Sequence, residues 1–234
     1  DVYDPKTDPH IYKNYSLDTV AEGKAANKVA FQKEMNLPVN KDIPLVSMIT
    51  RLVDQKGLDL FLYIADELLQ EDIQCVVLGT GEYHYEEALR ALEGRHPDRF
   101  RALIYFSPEM AQKIYAASDI FLMPSLFEPC GLSQMIAMRY GTIPVVRETG
   151  GLKDTVVPYN QYTGEGNGFS FANINAHELL FTTKRAIDYY RTRNDEDVWK
   201  GLVTSSMKSD FSWDRSAQSY YELYQQVLNP EEED

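Results

Sequence analysis

The chain has 234 residues, 44% of them apolar and 25% charged, with a formal net charge of -13. That suits one large or two small globular domains with a buried core. The acidic balance excludes a broadly basic groove for nucleic acid or an anionic membrane, and no segment has the apolar length of a membrane span or opens the chain as a signal peptide.

Residues 1–16 are polar, contain Pro5 and Pro9, and read as a linker. The opening lacks an initiator Met and reads like the interior of a longer protein. Residues 17–37 have helical composition, ended by Pro38. Residues 44–49 form a short apolar run expected to be a buried strand. Leu58, Leu60, Phe61, Ile64, Ala65, Leu68 and Leu69 then recur at helical spacing. Residues 74–78 read as a second strand, closed by Gly79-Thr80-Gly81, and 82–92 as a helix. A third strand is expected at 102–106, a helix at 109–117, a fourth strand at 120–123 and a helix at 131–140. A fifth strand follows at 143–146 and a sixth at 168–171, then helices near 176–190, 196–206 and 214–227. The acidic tail, 230–234, reads as solvated and frayed.

Short apolar strands alternating with amphipathic helices indicate right-handed βαβ units. The predicted fold class is α/β, a Rossmann-like parallel sheet with helices on both faces, formed by residues 17–229. Ligands of such sheets bind beyond the carboxyl ends of the strands. The loops that matter are therefore 50–57, 79–82, 106–109, 124–131 and 147–152.

Unusual residues fall in those loops. Arg51 and Lys56, a guanidinium fork and a point charge, suit a diphosphate held without metal; a merely solvated loop explains them as well. Gly79 and Gly81 permit close backbone approach, yet a plain tight turn needs the same residues. Neither a Walker A sequence nor a full dinucleotide fingerprint is present. Phe106, expected to end the third strand, either stacks on a nucleobase or belongs to the core. Glu128 precedes Pro129, which disfavours helix before it, and Cys130, Gly131, Leu132 and Ser133, which lead into a helix. Unpaired amides there suit an anion, and an acid beside them suits a hydroxyl-rich ligand. Thr149 and Gly150 open a second amide-rich turn. Complementing helix dipoles is the plainer role for Glu128.

Cys75 sits in an apolar run as a small core residue. Two isolated cysteines give no disulfide or zinc spacing, so a cytoplasmic setting is expected. His10, His84, His96 and His177 are scattered among polar neighbours and suggest neither a metal site nor a catalytic triad. Tyr159 and Tyr162 flank a polar loop, where packing or sugar stacking would both employ them.

The longest motifs are Thr50-Arg51-Leu52 with Gln55-Lys56-Gly57-Leu58-Asp59, then residues 124–132, 138–147 and 149–156, and Phe211-Ser212-Trp213. On these, from near Asp4 to near Leu228, the chain resembles the C-terminal half of the bacterial glycogen synthases and plant starch synthases. That resemblance implies the C-terminal lobe of a GT-B glycosyltransferase. Such a lobe binds a nucleotide sugar, ADP-glucose or less commonly UDP-glucose, for retaining transfer of glucose to the non-reducing end of an α-1,4-glucan, with no cofactor and no metal. It further implies that Arg51 and Lys56 grip the diphosphate and that Glu128 holds sugar hydroxyls at the catalytic centre. Cys130, Gly131 and Leu132 would supply amides, Ser133 would reach the distal phosphate, and Phe106 would stack on adenine. Thr149 and Gly150 would lie beside the donor, while Gly79 and Gly81 are donor-binding candidates on the turn reading given above. Ile136 stands where many related transferases carry a second Glu, and Phe106 where some carry Tyr. The family's N-terminal lobe, with most of the acceptor site, is absent from this sequence, so the chain alone is expected to be inactive. Another GT-B transferase and a non-enzymatic nucleotide- or glucan-binding module are the alternatives.

Overall fold

Apolar runs bounded by turn residues become the strands of a single sheet. In the computed structural model, which describes residues 2–192 and 196–228, these are β1 Leu45–Ile49, β2 Gln74–Leu78, β3 Phe100–Leu103, β4 Ile120–Met123, β5 Ile143–Arg147 and β6 Phe169–Phe171. The expected tail at 230–234 lies outside the described residues. The helices are α1 Val20–Glu34, α2 Leu58–Leu68, α3 Tyr83–Arg95, α4 Pro108–Ala117, α5 Ser133–Arg139, α6 Gly150–Thr155, α7 Ala176–Arg191, α8 Glu196–Lys208 and α9 Trp213–Leu228.

All strand pairs are parallel, in the order β3-β2-β1-β4-β5-β6. Strand alternation buries both faces. Val46, Met48, Cys75, Val77, Ile120, Leu122 and Val145 join one cluster with residues of α2, α3, α7 and α8. Phe121, Met123 and Val146 pack with α5 residues on the opposite face, where Leu45, Val76 and Leu78 meet Phe31 of α1 and Ile114 of α4. The fold is thus the expected α/β, Rossmann-like arrangement with helices on both faces. The strand order reverses between β1 and β4, which opens a crevice between the loops that follow them.

Three departures from the expectation have physical causes. β3 begins at Phe100, two residues before the expected start, because Arg101 is satisfied inside it: its guanidinium donates to the carbonyls of Met35 at 2.6 Å and Asn36 at 2.6 Å. Phe106 consequently lies beyond the strand, in the loop to α4. The expected linker is anchored. Tyr15 donates to the Tyr140 carbonyl at 2.8 Å, Tyr140 to Asp8 at 2.5 Å, and Arg139 pairs with Asp4 at 2.9 Å. Finally, α1 buries Lys24, Asn27, Lys28 and Gln32. A polar network docks this helix: Lys28 pairs with Asp119 at 2.5 Å, and Lys24 Nζ reaches Thr142 Oγ1 at 2.8 Å and three carbonyls at 3.1–3.3 Å. α9 buries no residue at all.

Candidate functional site

The loop after β1 is drawn tight against the loop after β2. Thr50 donates its N–H to the Leu78 carbonyl at 3.0 Å, and Leu52 to that of Thr80 at 2.9 Å. A Cβ on Gly79 would lie 1.8 Å from the Thr50 carbonyl oxygen. Both glycines of the Gly79-Thr80-Gly81 turn are therefore required by backbone packing.

The chain then makes a short 3-10 turn, Asp54–Lys56, ended by Gly57 at φ 72°. A Cβ at Gly57 would stand 2.1 Å from the Pro124 carbonyl oxygen. This close approach clips the turn to the loop after β4. Leu126 donates its N–H to the Gln55 carbonyl at 2.8 Å, and Gln55 Nε2 donates to the Phe127 carbonyl at 2.8 Å. Lys56 is thereby delivered to Glu128, Nζ to Oε2 2.5 Å, and Ser125 Oγ donates to the same oxygen at 3.3 Å. The Lys56 and Glu128 side chains are only 15% and 11% exposed, so this pair is largely desolvated.

Two residues outside the predicted site set hold the Glu128 loop. Arg147, at the end of β5, donates Nε to the Ser125 carbonyl at 2.9 Å, Nη2 to that of Leu126 at 2.6 Å and Nη1 to that of Ala172 at 3.3 Å. Gln134 of α5, fully buried, donates to the carbonyls of Gly131 at 2.9 Å and Cys130 at 3.2 Å. A charged residue closing the otherwise apolar run of β5 was the signal for Arg147; Gln134 left none.

The crevice is a cleft of about 310 Å³. Arg51, Lys56, Glu128, Gly131, Leu132 and Ser133 line it, over a floor that includes Met48 and Leu122. The predicted charged residues, two of the three predicted amide donors (Gly131 and Leu132) and Ser133 therefore share one cavity. No side chain caps α5, which leaves its first N–H groups for a ligand or solvent. The remaining candidates are not among its lining residues. Cys130 is exposed and borders a neighbouring groove with Asp154 and Arg215. Gly150 supports the Glu128 loop from behind, where an added Cβ would lie 2.2 Å from the Glu128 carbonyl oxygen. Thr149 precedes it as the residue before α6. Phe106 is 85% exposed, so it is not a core residue. Among the described residues, one group brings metal-type ligand atoms within 4.8 Å of one another, the exposed Asp54, Glu82 and His84. It sits outside the cleft lining.

Residues 31–195 match the family model described as glycosyl transferases group 1. The chain is 54% identical over 228 residues to a glycogen synthase of Desulforamulus reducens and 54% identical over 227 residues to one of Clostridium beijerinckii. Each match covers 97% of this chain and 47% of the relative, so the chain spans about half the length of these curated relatives. The catalytic domain of starch synthase IV from Arabidopsis thaliana, solved with ADP and acarbose, is similar at a TM-score of 0.86 and 37% identity, over 97% of this chain and 47% of that one. With the reversed strand order, the lysine–glutamate cleft at the reversal and a family match across most of its length, the chain belongs to the glycosyl transferases group 1 family.

Proposed function

We propose that this chain is the donor-binding lobe of a retaining glucosyltransferase of the glycogen and starch synthase type, and that the cleft takes ADP-glucose. The observation that carries this reading is the convergence of Arg51, Lys56 and Glu128 on one cavity at the strand-order reversal. Cleavage of the sugar–phosphate bond builds negative charge on the departing diphosphate. Fixed cations and amides stabilise that charge more in the transition state than in the ground state. Arg51 and Lys56 supply the cations, and the uncapped turn at Gly131, Leu132 and Ser133 supplies N–H groups. The anomeric carbon gains oxocarbenium character, and Glu128 offers a carboxylate to it or to the sugar hydroxyls beside it. In this reading the protein's own cations neutralise the leaving group, and no cofactor or metal takes part. Phe106, exposed at the sheet's carboxyl edge, is the stacking surface for the base.

The acceptor, an α-1,4-glucan, would be held between this lobe and a second one. α9 favours that architecture. Its Trp213, Tyr220, Tyr221, Leu223, Tyr224 and Val227 are all exposed, and a helix with an uncovered apolar face gains its stability only by packing on something else. The test is a turnover assay of the intact protein with ADP-glucose and an α-1,4-glucan primer. Glucose should be added at non-reducing ends with the α configuration retained. Absence of transfer from ADP-glucose and UDP-glucose alike would overturn the reading, as would full activity from these 234 residues alone.

A further inference from the structure

Lys56 and Glu128 are each other's counter-ions in the cleft, 2.5 Å apart and mostly shielded from water. Among the described residues, the hydrogen bonds to the Glu128 carboxylate come from Lys56 and Ser125, and both land on Oε2. An anionic ligand that recruits Lys56 must compete with Glu128 for it. A diphosphate alone would draw the ammonium away and leave a largely buried carboxylate with only the Ser125 hydroxyl. Stranding one member of a buried pair is strongly unfavourable. A diphosphate carrying a sugar differs, because its hydroxyls can donate to the carboxylate just as Lys56 departs.

We propose that the Lys56–Glu128 pair is a specificity lock: the cleft accepts a nucleoside diphosphate sugar and discriminates against the same nucleoside diphosphate without its sugar. This rests on the nucleotide-sugar reading given above and adds a function for the pairing itself. Glu128 then has two roles, receiving the hexose and holding Lys56 back from bare diphosphate. After transfer the lock re-forms and helps to expel the nucleotide product, because Glu128 regains its partner as the sugar leaves.

The test is a double-mutant cycle in the intact protein, with ADP and ADP-glucose each titrated by calorimetry. Glu128→Gln keeps the side chain's shape and removes the charge that holds Lys56. The lock requires this variant to bind ADP about tenfold tighter than the parent, while the preference for ADP-glucose over ADP falls. In a Lys56→Met background the same change should give no gain in ADP affinity, because the gain comes from a freed Lys56. A purely structural Glu128 would instead weaken both ligands when replaced. Simple repulsion between Glu128 and phosphate would give the same gain in both backgrounds. Either result overturns the lock and leaves the nucleotide-sugar reading standing. Failure of the parent protein to bind either ADP or ADP-glucose would remove that reading, and the lock with it. Thermal melting verifies that each variant is folded, and Glu128→Ala serves in the same cycle if the Gln variant is not.

Discussion

Arg147 holds Ser125: its Nε donates to the Ser125 carbonyl at 2.9 Å while Nη2 takes the next carbonyl, that of Leu126, at 2.6 Å. A side chain at the end of β5 thus fixes the loop that presents Glu128 from the end of β4. A lysine cannot reproduce this planar fork. Arg147→Lys should lower stability by about 2 kcal/mol, the scale of two or three charge-assisted hydrogen bonds partly replaced by water. Turnover should fall more than donor affinity, because the carboxylate loses its placement while the cations remain. Thermal melts and steady-state kinetics with ADP-glucose check both parts; unchanged kinetics would remove Arg147 from the positioning role.

Phe106 is exposed, so its truncation should leave the fold intact. If its ring carries the base, Phe106→Ala weakens ADP binding by about 1 kcal/mol, five- to tenfold, at an unchanged melting temperature. Inorganic pyrophosphate, which has no base, should bind the variant and the parent equally. A comparable loss for both ligands would refute stacking.

Gly57 adopts φ 72° against the Pro124 carbonyl. An alanine there adds backbone strain and an overlap with main-chain atoms that have little room to shift. Gly57→Ala should cost about 2–4 kcal/mol, and it should also pull Lys56 away from Glu128. Denaturant unfolding gives the stability, and the donor titration should show a parallel loss.

Arg51, Lys56 and Glu128 all line the cleft. Arg51→Ala and Lys56→Ala should each raise the KM for ADP-glucose by about ten- to a hundredfold, as expected for a lost charge-assisted contact. Glu128→Ala should depress kcat far more than it changes donor affinity. Parent-like constants in all three variants would dissolve the site.

Burial lowers the Lys24 ammonium from its ordinary value to about 7, with Asp119 opposing that fall and Lys28 adding to it. Above that pH the folded chain releases a proton that the unfolded chain retains up to 10.5. The unfolded state then binds more protons, so stability should rise from about pH 7 towards pH 10. Melting temperatures taken between about pH 6.5 and pH 9 test the direction. Lys24→Met should flatten the rise. A falling profile in the parent would contradict it.

Much of this architecture was legible because parallel strands buried on both faces are written as short apolar runs. The cleft was legible for a topological reason: in such a sheet the loops at the carboxyl ends converge, so Arg51, Lys56 and Glu128 could be grouped without any contact being visible. What stayed hidden depended on pairing across distance. Arg101 masked the start of β3 because its carbonyl partners, Met35 and Asn36, come from the end of the first helix. Residues 2–16 looked detached because Tyr15 and Asp8 find their partner at Tyr140, more than a hundred positions later. Polar composition gave no sign that α1 docks through buried lysines. Gly79 and Gly81 pack against the main chain of Thr50 and Leu52, a contact between the loops after β2 and β1 that the turn sequence alone does not show.

The seam between β1 and β4 has a mechanical consequence. Its register comprises two residue pairs, Val46 with Ile120 and Ser47 with Phe121, against five for β1 with β2 and four for β4 with β5. Lys56 and Glu128 straddle that seam from positions 72 residues apart. A molecule bound to both would rivet the two halves of the sheet along their thinnest join, and amide exchange in β1 and β4 should slow in step with its occupancy.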